Sequence, residues 1–424
     1  MAQSGGGPKV LTRKDLKNFE SLSRQAFSSH FRAAGVSAVA PTYNRLSAFL
    51  PKKLWAWISH VVQYWGNDKH EFKDYTQVAG DTGVYSMDDR AKVSLAGDWG
   101  TGTDEAEEVA VCIQKFGPDF TLHLGDVYYV GDDPEVKENC LGEKTSPFEP
   151  VTWPMGSKGS FALNGNHEMY ANGNAYFEVL LKKLGPRDPG AQWGNGQKAS
   201  FFCLENNFWR IIGLDTGYNS TGIDLGGVPP LKKSKWLRKT TWFKPSCKLP
   251  DPLRSWLRSA VKPDADKRGI ILLSHHEYYS SFDDWYQHPA KQLAELIHRP
   301  VLWFWGHEHR LAIYDKYGVQ DGITAYGRCV GHGGMPVSRG VEPDIEDCHW
   351  LAYDNRPYSN SEGIDVGYNG SVNLAFDRSS LRVEYRDLKY NLLLTENWQI
   401  DLVSGDLGGP NLQVILQDPE LRHR

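Results

Sequence analysis

The stretch "FTLHLGDVYY", residues 120–129, holds the pattern that decides the fold. An apolar run with Phe120, Leu122 and Leu124 ends abruptly on Gly125 and an acid, Asp126. The same design recurs in "KVSLAGD" (92–98), "SFALNGNH" (160–167), "RIIGLD" (210–215), "GIILLSHH" (269–276) and "VLWFWGHEH" (301–309). Short apolar runs closing on turn residues predict buried strands, and the segment 103–116, closed by Gly117-Pro118, predicts a helix between the first two. The chain therefore reads as an α/β protein, in which functional groups gather at the carboxyl ends of the strands. Two late segments, "VNLAFD" (372–377) and "LRVEYRD" (381–387), alternate around a short turn and predict a hairpin that completes the sheet.

With 424 residues the chain is long enough for one large domain with an appendage, or for two ordinary ones. Its net charge of -5 gives no global reason to expect nucleic acid or an anionic membrane as partner. The six cysteines lie scattered, without the spacing of a disulfide framework or a zinc finger. No apolar run reaches the length of a membrane-crossing helix, and the first forty residues lack the pattern of a secretory signal, so a cytoplasmic location is the expectation.

The polar residues at the strand ends form a set. Asp98, Asp126, Asn166, His275, His307 and His309 offer two carboxylates, one amide oxygen and three imidazoles. Singly, each has an ordinary structural reading as a helix cap, a turn residue or a hydrogen-bonded histidine. Together they suit first-row transition metals better than calcium or magnesium, and there is ligand enough for two ions.

"GD" at 97–98, "GDVYY" at 125–129, "GNHE" at 165–168, "LLSHH" at 272–276 and "GHEH" at 306–309 resemble, in order, the five blocks of the calcineurin-like metallophosphoesterase superfamily. The resemblance runs over about 210 residues. Many members carry a histidine two residues after the first aspartate; here Gly100 stands at that place. In this departure the sequence resembles the purple acid phosphatase branch, where a tyrosine of the second block binds the metal as a phenolate. That tyrosine is matched by Tyr129, with Tyr128 as the next candidate.

The resemblance implies a four-layer α/β/β/α sandwich and a dinuclear metal-dependent phosphoric ester hydrolase. One ion would be held by Asp98, Asp126, Tyr129 and His309, and the other by Asp126, Asn166, His275 and His307. The first is expected to be Fe(III), whose charge would lower the tyrosine pKa, and the second Fe(II), Zn(II) or Mn(II). The expected reaction is hydrolysis of phosphomonoesters, small-molecule or phosphoprotein, by a metal-bound hydroxide. His167 is the expected acid or electrostatic stabiliser and Glu168 an orienting group. His276 is placed in the catalytic set, and Asn166, His167, His276 and His332 against the substrate. Two alternatives stay open: a phosphodiesterase using the same metals, and a non-catalytic scaffold that keeps the fold.

Around the expected catalytic domain, 89–390, stand an N-terminal helical extension (1–88) and a C-terminal extension (391–424). After a flexible "SGGGP" leader (4–8), Leu16, Phe19, Phe27 and Phe31 mark one amphipathic helix, and Leu54, Ile58, Val61, Val62 and Trp65 a second. These helices either pack on the main domain or bind a partner or membrane surface. Residues 219–250, with Lys232, Lys233, Lys235, Arg238, Lys239, Lys244 and Lys248, form a basic insertion, read as a solvated loop or as a lure for anionic substrates. "GRCVGHGGMPV" (327–337) reads as a structural turn, and 338–370 as a long excursion.

Overall fold

The computed structural model describes residues 9–10, 68–146, 148–220, 245–344, 349–359 and 364–424. Both expected N-terminal helices and most of the basic insertion lie outside these residues.

Every apolar run quoted above is a strand. Lys92–Ala96, Phe120–His123 and Gly159–Ala162 run parallel in one nine-stranded sheet. Trp209–Gly213, Gly269–Ser274, Val301–Trp305 and Ala325–Val330 run parallel in a second nine-stranded sheet. The strands are continuous apolar runs because both faces are covered. Ile271, Leu273, Leu302 and Phe304 point between the sheets, where they meet Val93, Leu95, Leu122 and Phe161 of the first. Their neighbours Ile270, Leu272, Trp303 and Trp305 point outward onto Leu253, Trp256 and Leu293 of flanking helices. On the outer face of the first sheet, Val109 and Ile113 of the helix Asp104–Phe116 pack with Ala96 and Ala162. The result is a four-layer α/β/β/α sandwich, formed because period-two alternation gives each sheet two apolar faces to bury.

The helix Asp104–Phe116 begins where the Thr103 side chain accepts from the Ala106 N–H and ends at Gly117, whose φ of 66° supplies the left-handed cap. The hairpin Gly370–Asp377 with Ser380–Asp387 joins the first sheet beside Lys92–Ala96, Val372 opposite Leu95. Between the sheets, the Arg328 guanidinium donates to both carboxylate oxygens of Glu396, one on each sheet, and the Tyr385 hydroxyl donates to the same carboxylate.

Hydrogen bonding carries the sandwich past both boundaries drawn from sequence. Val84–Ser86, placed in the N-terminal extension, is the edge strand of the second sheet, parallel to Phe202–Glu205. Leu392–Ile400, placed in the C-terminal extension, pairs with Ser380–Asp387, and Leu421–His423 closes the second sheet against Trp350–Asp354. Backbone pairing, which leaves little mark on composition, decides these assignments. A small third sheet joins Lys9–Val10, Ile364–Gly367 and Pro357–Ser359.

Candidate metal centre

The parallel strands of both sheets end at the same rim of the sandwich, and their loops bring together Asp98, Asp126, Asn166, His275, His307 and His309. Three of these hold left-handed backbone: φ is 58° at Asp98, 70° at Asp126 and 63° at His307. Such strain at non-glycine positions persists where the surroundings fix it, and it concentrates at functional sites. Gly125 has φ of 95°, and a Cβ there would come within 2.9 Å of Gly165 N and His275 Nδ1, so only glycine lets the two loops meet.

Asp98 and Asp126 are fully buried. Asp98 Oδ1 accepts from the Tyr128 hydroxyl at 2.7 Å and lies 3.4 Å from His309 Nε2; Oδ2 accepts from the His307 N–H at 2.8 Å. Asp126 Oδ1 accepts from the His167 N–H at 3.0 Å, while Oδ2 lies 3.2 Å from both His275 Nε2 and the Tyr128 hydroxyl. His275 Nδ1–H is directed at the Leu124 carbonyl, 2.9 Å away, which turns Nε2 toward Asp126 and toward Asn166 Oδ1, 3.1 Å away. Two groups of donors within 4.8 Å of one another result: Asp98, Asp126 and His275, and His275, His276 and His307. Sharing His275, they form one continuous patch of oxygen and imidazole donors.

Electrostatics tests whether this donor set fits metal ions. Burial opposes the ionised forms of Asp98 and Asp126, yet neighbouring imidazoles hold both below the usual carboxylate range. Burial likewise opposes a charged His275, but Asp126, Asp98 and Glu168 outweigh it and carry its pKa up to about 9. Burial and the charge on His275 push His307 down to about 3. Two buried anions facing converging ring nitrogens need positive charge among them, which a proton on His275 supplies only in part. A pair of divalent or trivalent cations fits the donor types and their number.

Tyr128, the first tyrosine of the pair, is buried at the rim. Its hydroxyl meets Asp98, Asp126 and, at 3.0 Å, His309 Nε2. Tyr129 is also buried, and its main-chain carbonyl accepts from His167 Nδ1–H at 2.7 Å. Gly100 lies against this segment. A Cβ at that position would approach Val127 Cα to 2.9 Å, and the Tyr128 N–H donates to the Gly100 carbonyl at 2.9 Å, so the backbones leave no room for a ligand side chain.

Glu168 lies beneath the ligands. Its carboxylate accepts from the N–H groups of Asp126 (3.2 Å), Val127 (2.7 Å) and Gly165 (2.8 Å), clamping the second block to the third. His276 faces His307, with ring centroids 4.6 Å apart, and Thr216 Oγ1 lies 3.1 Å from both its N–H and its Nδ1. The loop after Ala325–Val330 braces Asp98 from below, Gly333 N–H donating to the Gly97 carbonyl (2.9 Å) and Met335 N–H to the Asp98 carbonyl (3.1 Å). A Cβ on Gly331 would stand 2.8 Å from Asp98 Oδ2. His332, in that loop, is buried with neither ring nitrogen hydrogen-bonded among the described residues.

Sequence reasoning left Thr216 and Tyr170 without a part; the amide nitrogen of Asn166 donates to the Tyr170 hydroxyl at 3.0 Å. Thr216 carried one available signal, since it directly follows a strand-ending aspartate. The ends of the basic insertion are tied together, Asn219 Nδ2 donating to the Lys248 carbonyl at 2.7 Å.

No curated protein matches the sequence. Among solved structures, the chain is similar to a purple acid phosphatase from yellow lupin (Lupinus luteus) seeds, at 14% identity and a TM-score of 0.41, over 74% of this chain and 55% of that one. The chain thus spans about half the length of the lupin protein. It is also similar to PhoD, at 12% identity and a TM-score of 0.45, over 78% of this chain and 72% of that one. A third similar structure is GAP50, the anchor in the inner membrane complex of Plasmodium, at 15% identity and a TM-score of 0.40, over 74% and 92% of the two chains. The family model for calcineurin-like phosphoesterases matches residues 79–311, which include all five sequence blocks and both donor groups of the rim. The chain belongs to the calcineurin-like phosphoesterase family.

Proposed function

We propose that the protein is a dinuclear metal-dependent phosphoesterase of the purple acid phosphatase type, acting on phosphomonoesters. The observation that carries this reading is the Tyr128 hydroxyl, directed at Asp98, Asp126 and His309 beside a Gly100 that can carry no ligand. We assign one ion to Asp98, Asp126, Tyr128 and His309, with Tyr128 in place of Tyr129. The other is assigned to Asp126, Asn166, His275 and His307, with His276 in reach. A phenolate donor favours Fe(III) in the first position; Fe(II), Zn(II) and Mn(II) suit the imidazole-rich second. When bound, such a pair of ions supplies an activated water and neutralises charge on the phosphoryl oxygens.

The chain's own residues complete the chemistry. His167 Nδ1–H is fixed on the Tyr129 carbonyl, so Nε2, 3.8 Å from Asp126 Oδ2, is the atom that takes up or releases a proton. Burial lowers the His167 pKa and favours its neutral form at rest. Thr216 orients His276, which stands where it can contact a phosphoryl oxygen beside His307. Glu168 holds the Asp126 loop in its left-handed conformation and so acts on the ligands through the backbone.

The test is spectroscopic and kinetic. Iron-loaded protein should show a broad visible tyrosinate band that vanishes in Tyr128→Phe and survives in Tyr129→Phe; the reverse result would return the role to Tyr129. Faster hydrolysis of p-nitrophenyl phosphate than of bis-p-nitrophenyl phosphate supports the monoesterase reading, and the opposite order replaces it with a diesterase.

A further inference from the structure

An asparagine is an ambiguous ligand, because its two terminal atoms are similar in shape and opposite in chemistry. Only Oδ1 has lone pairs for a cation; Nδ2 presents hydrogens. At Asn166, Oδ1 lies 3.1 Å from His275 Nε2, and Nδ2 donates to the Tyr170 hydroxyl at 3.0 Å. Asn166 is only 7% exposed. Tyr170 stands four residues on along the short helix Asn166–Tyr170, on the same face. Its ring packs edge-on against His167, with centroids 5.0 Å apart.

We infer that Tyr170 is a positioning residue for the metal centre: its hydroxyl receives Nδ2 and thereby stabilises the amide orientation that offers Oδ1 to the ion beside His275. The inference rests on the proposed reading of Asn166 as a ligand. Without the hydroxyl, the ligating orientation leaves a buried N–H unpaired. With that partner gone, the amide has less to hold it against turning Oδ1 away from the ion. Partners of this kind around metal ligands change metal affinity by roughly 10- to 100-fold.

The experiment is competition of full-length, zinc(II)-loaded protein against a graded chelator, with bound zinc counted after gel filtration. Tyr170→Phe should release one of the two ions at chelator strengths roughly 10- to 100-fold lower than wild type, while the other ion is retained as before. Asn166→Asp supplies the control that a packing role would fail. Its two carboxylate oxygens are equivalent, so no orientation needs selecting, and the double variant Asn166→Asp/Tyr170→Phe should hold zinc as Asn166→Asp does. Wild-type retention in Tyr170→Phe overturns the inference, as does an equal loss from Tyr170→Phe in both backgrounds. Wild-type retention in Asn166→Ala overturns the ligand reading itself, and is thereby distinguished from failure of the Tyr170 step.

Discussion

The two sheets contribute unlike halves to the rim they share. Loops of the first sheet bring oxygen: the carboxylates of Asp98 and Asp126, the amide of Asn166 and the phenol of Tyr128. Loops of the second bring nitrogen: His275, His276, His307 and His309. The oxygen half is held by backbone N–H groups converging on Glu168 and by the brace of Gly333 and Met335 under Asp98. In the imidazole half the His307 N–H donates to Asp98, and the rings are oriented by His275 on the Leu124 carbonyl and His276 on Thr216. An anionic half that must stay charged while buried needs dense support, whereas rings that offer a nitrogen to a cation need their tautomer fixed.

Breaking the oxygen half should therefore cost most. Asp126→Asn removes the carboxylate that the proposed assignment gives to both ions, and both should be lost, with p-nitrophenyl phosphate turnover falling by more than about 100-fold. His309→Ala, measured alongside, should empty one position only; equal metal loss in the two variants would erase the distinction. Next in size is Glu168→Gln. The glutamine amide turns a donor toward N–H groups that need an acceptor, and about 3 kcal/mol of stability should disappear in denaturant titration, the cost of a buried N–H left without an acceptor.

Asp215 marks where the halves touch, since Asn164 of the first sheet donates weakly to it at 3.4 Å. Burial raises its pKa from an ordinary 3.8 to about 6. The folded protein keeps this proton between those values while the unfolded chain releases it, so the group's stabilising contribution is present below about pH 4 and lost as pH rises through 6. Asp215→Asn cannot ionise; its stability relative to wild type should rise by up to about 3 kcal/mol between pH 4 and 7. A constant difference across that range would show that Asp215 is ionised throughout. The smallest effect belongs to the imidazole half: Thr216→Val should lower kcat about tenfold, or about 1.4 kcal/mol, with metal content unchanged. Loss of an ion in that variant would make His276 a ligand instead.

Legibility in the sequence followed the physics of each feature. Strands buried on both faces, such as Gly269–Ser274, announce themselves as unbroken apolar runs, and polar residues directly behind them are the natural candidates for a site. Val84–Ser86 and Leu421–His423 were not legible, because a three-residue edge strand is defined by its hydrogen-bond partner and not by its own composition. Tyr128 and Tyr129 illustrate the finest limit: neighbours of identical chemistry, whose phenols only the course of the backbone can tell apart.

The sequence by itself determined the α/β class, the six strand-end clusters and their order, because hydrophobic periodicity and residue chemistry are local properties. Only the tertiary structure decided that the Tyr128 hydroxyl meets Asp98, that Gly100 is pressed against Val127, and that Tyr170 takes the amide nitrogen of Asn166. Those outcomes depend on distances between segments far apart in the chain, set by how the two sheets pack and where their loops meet.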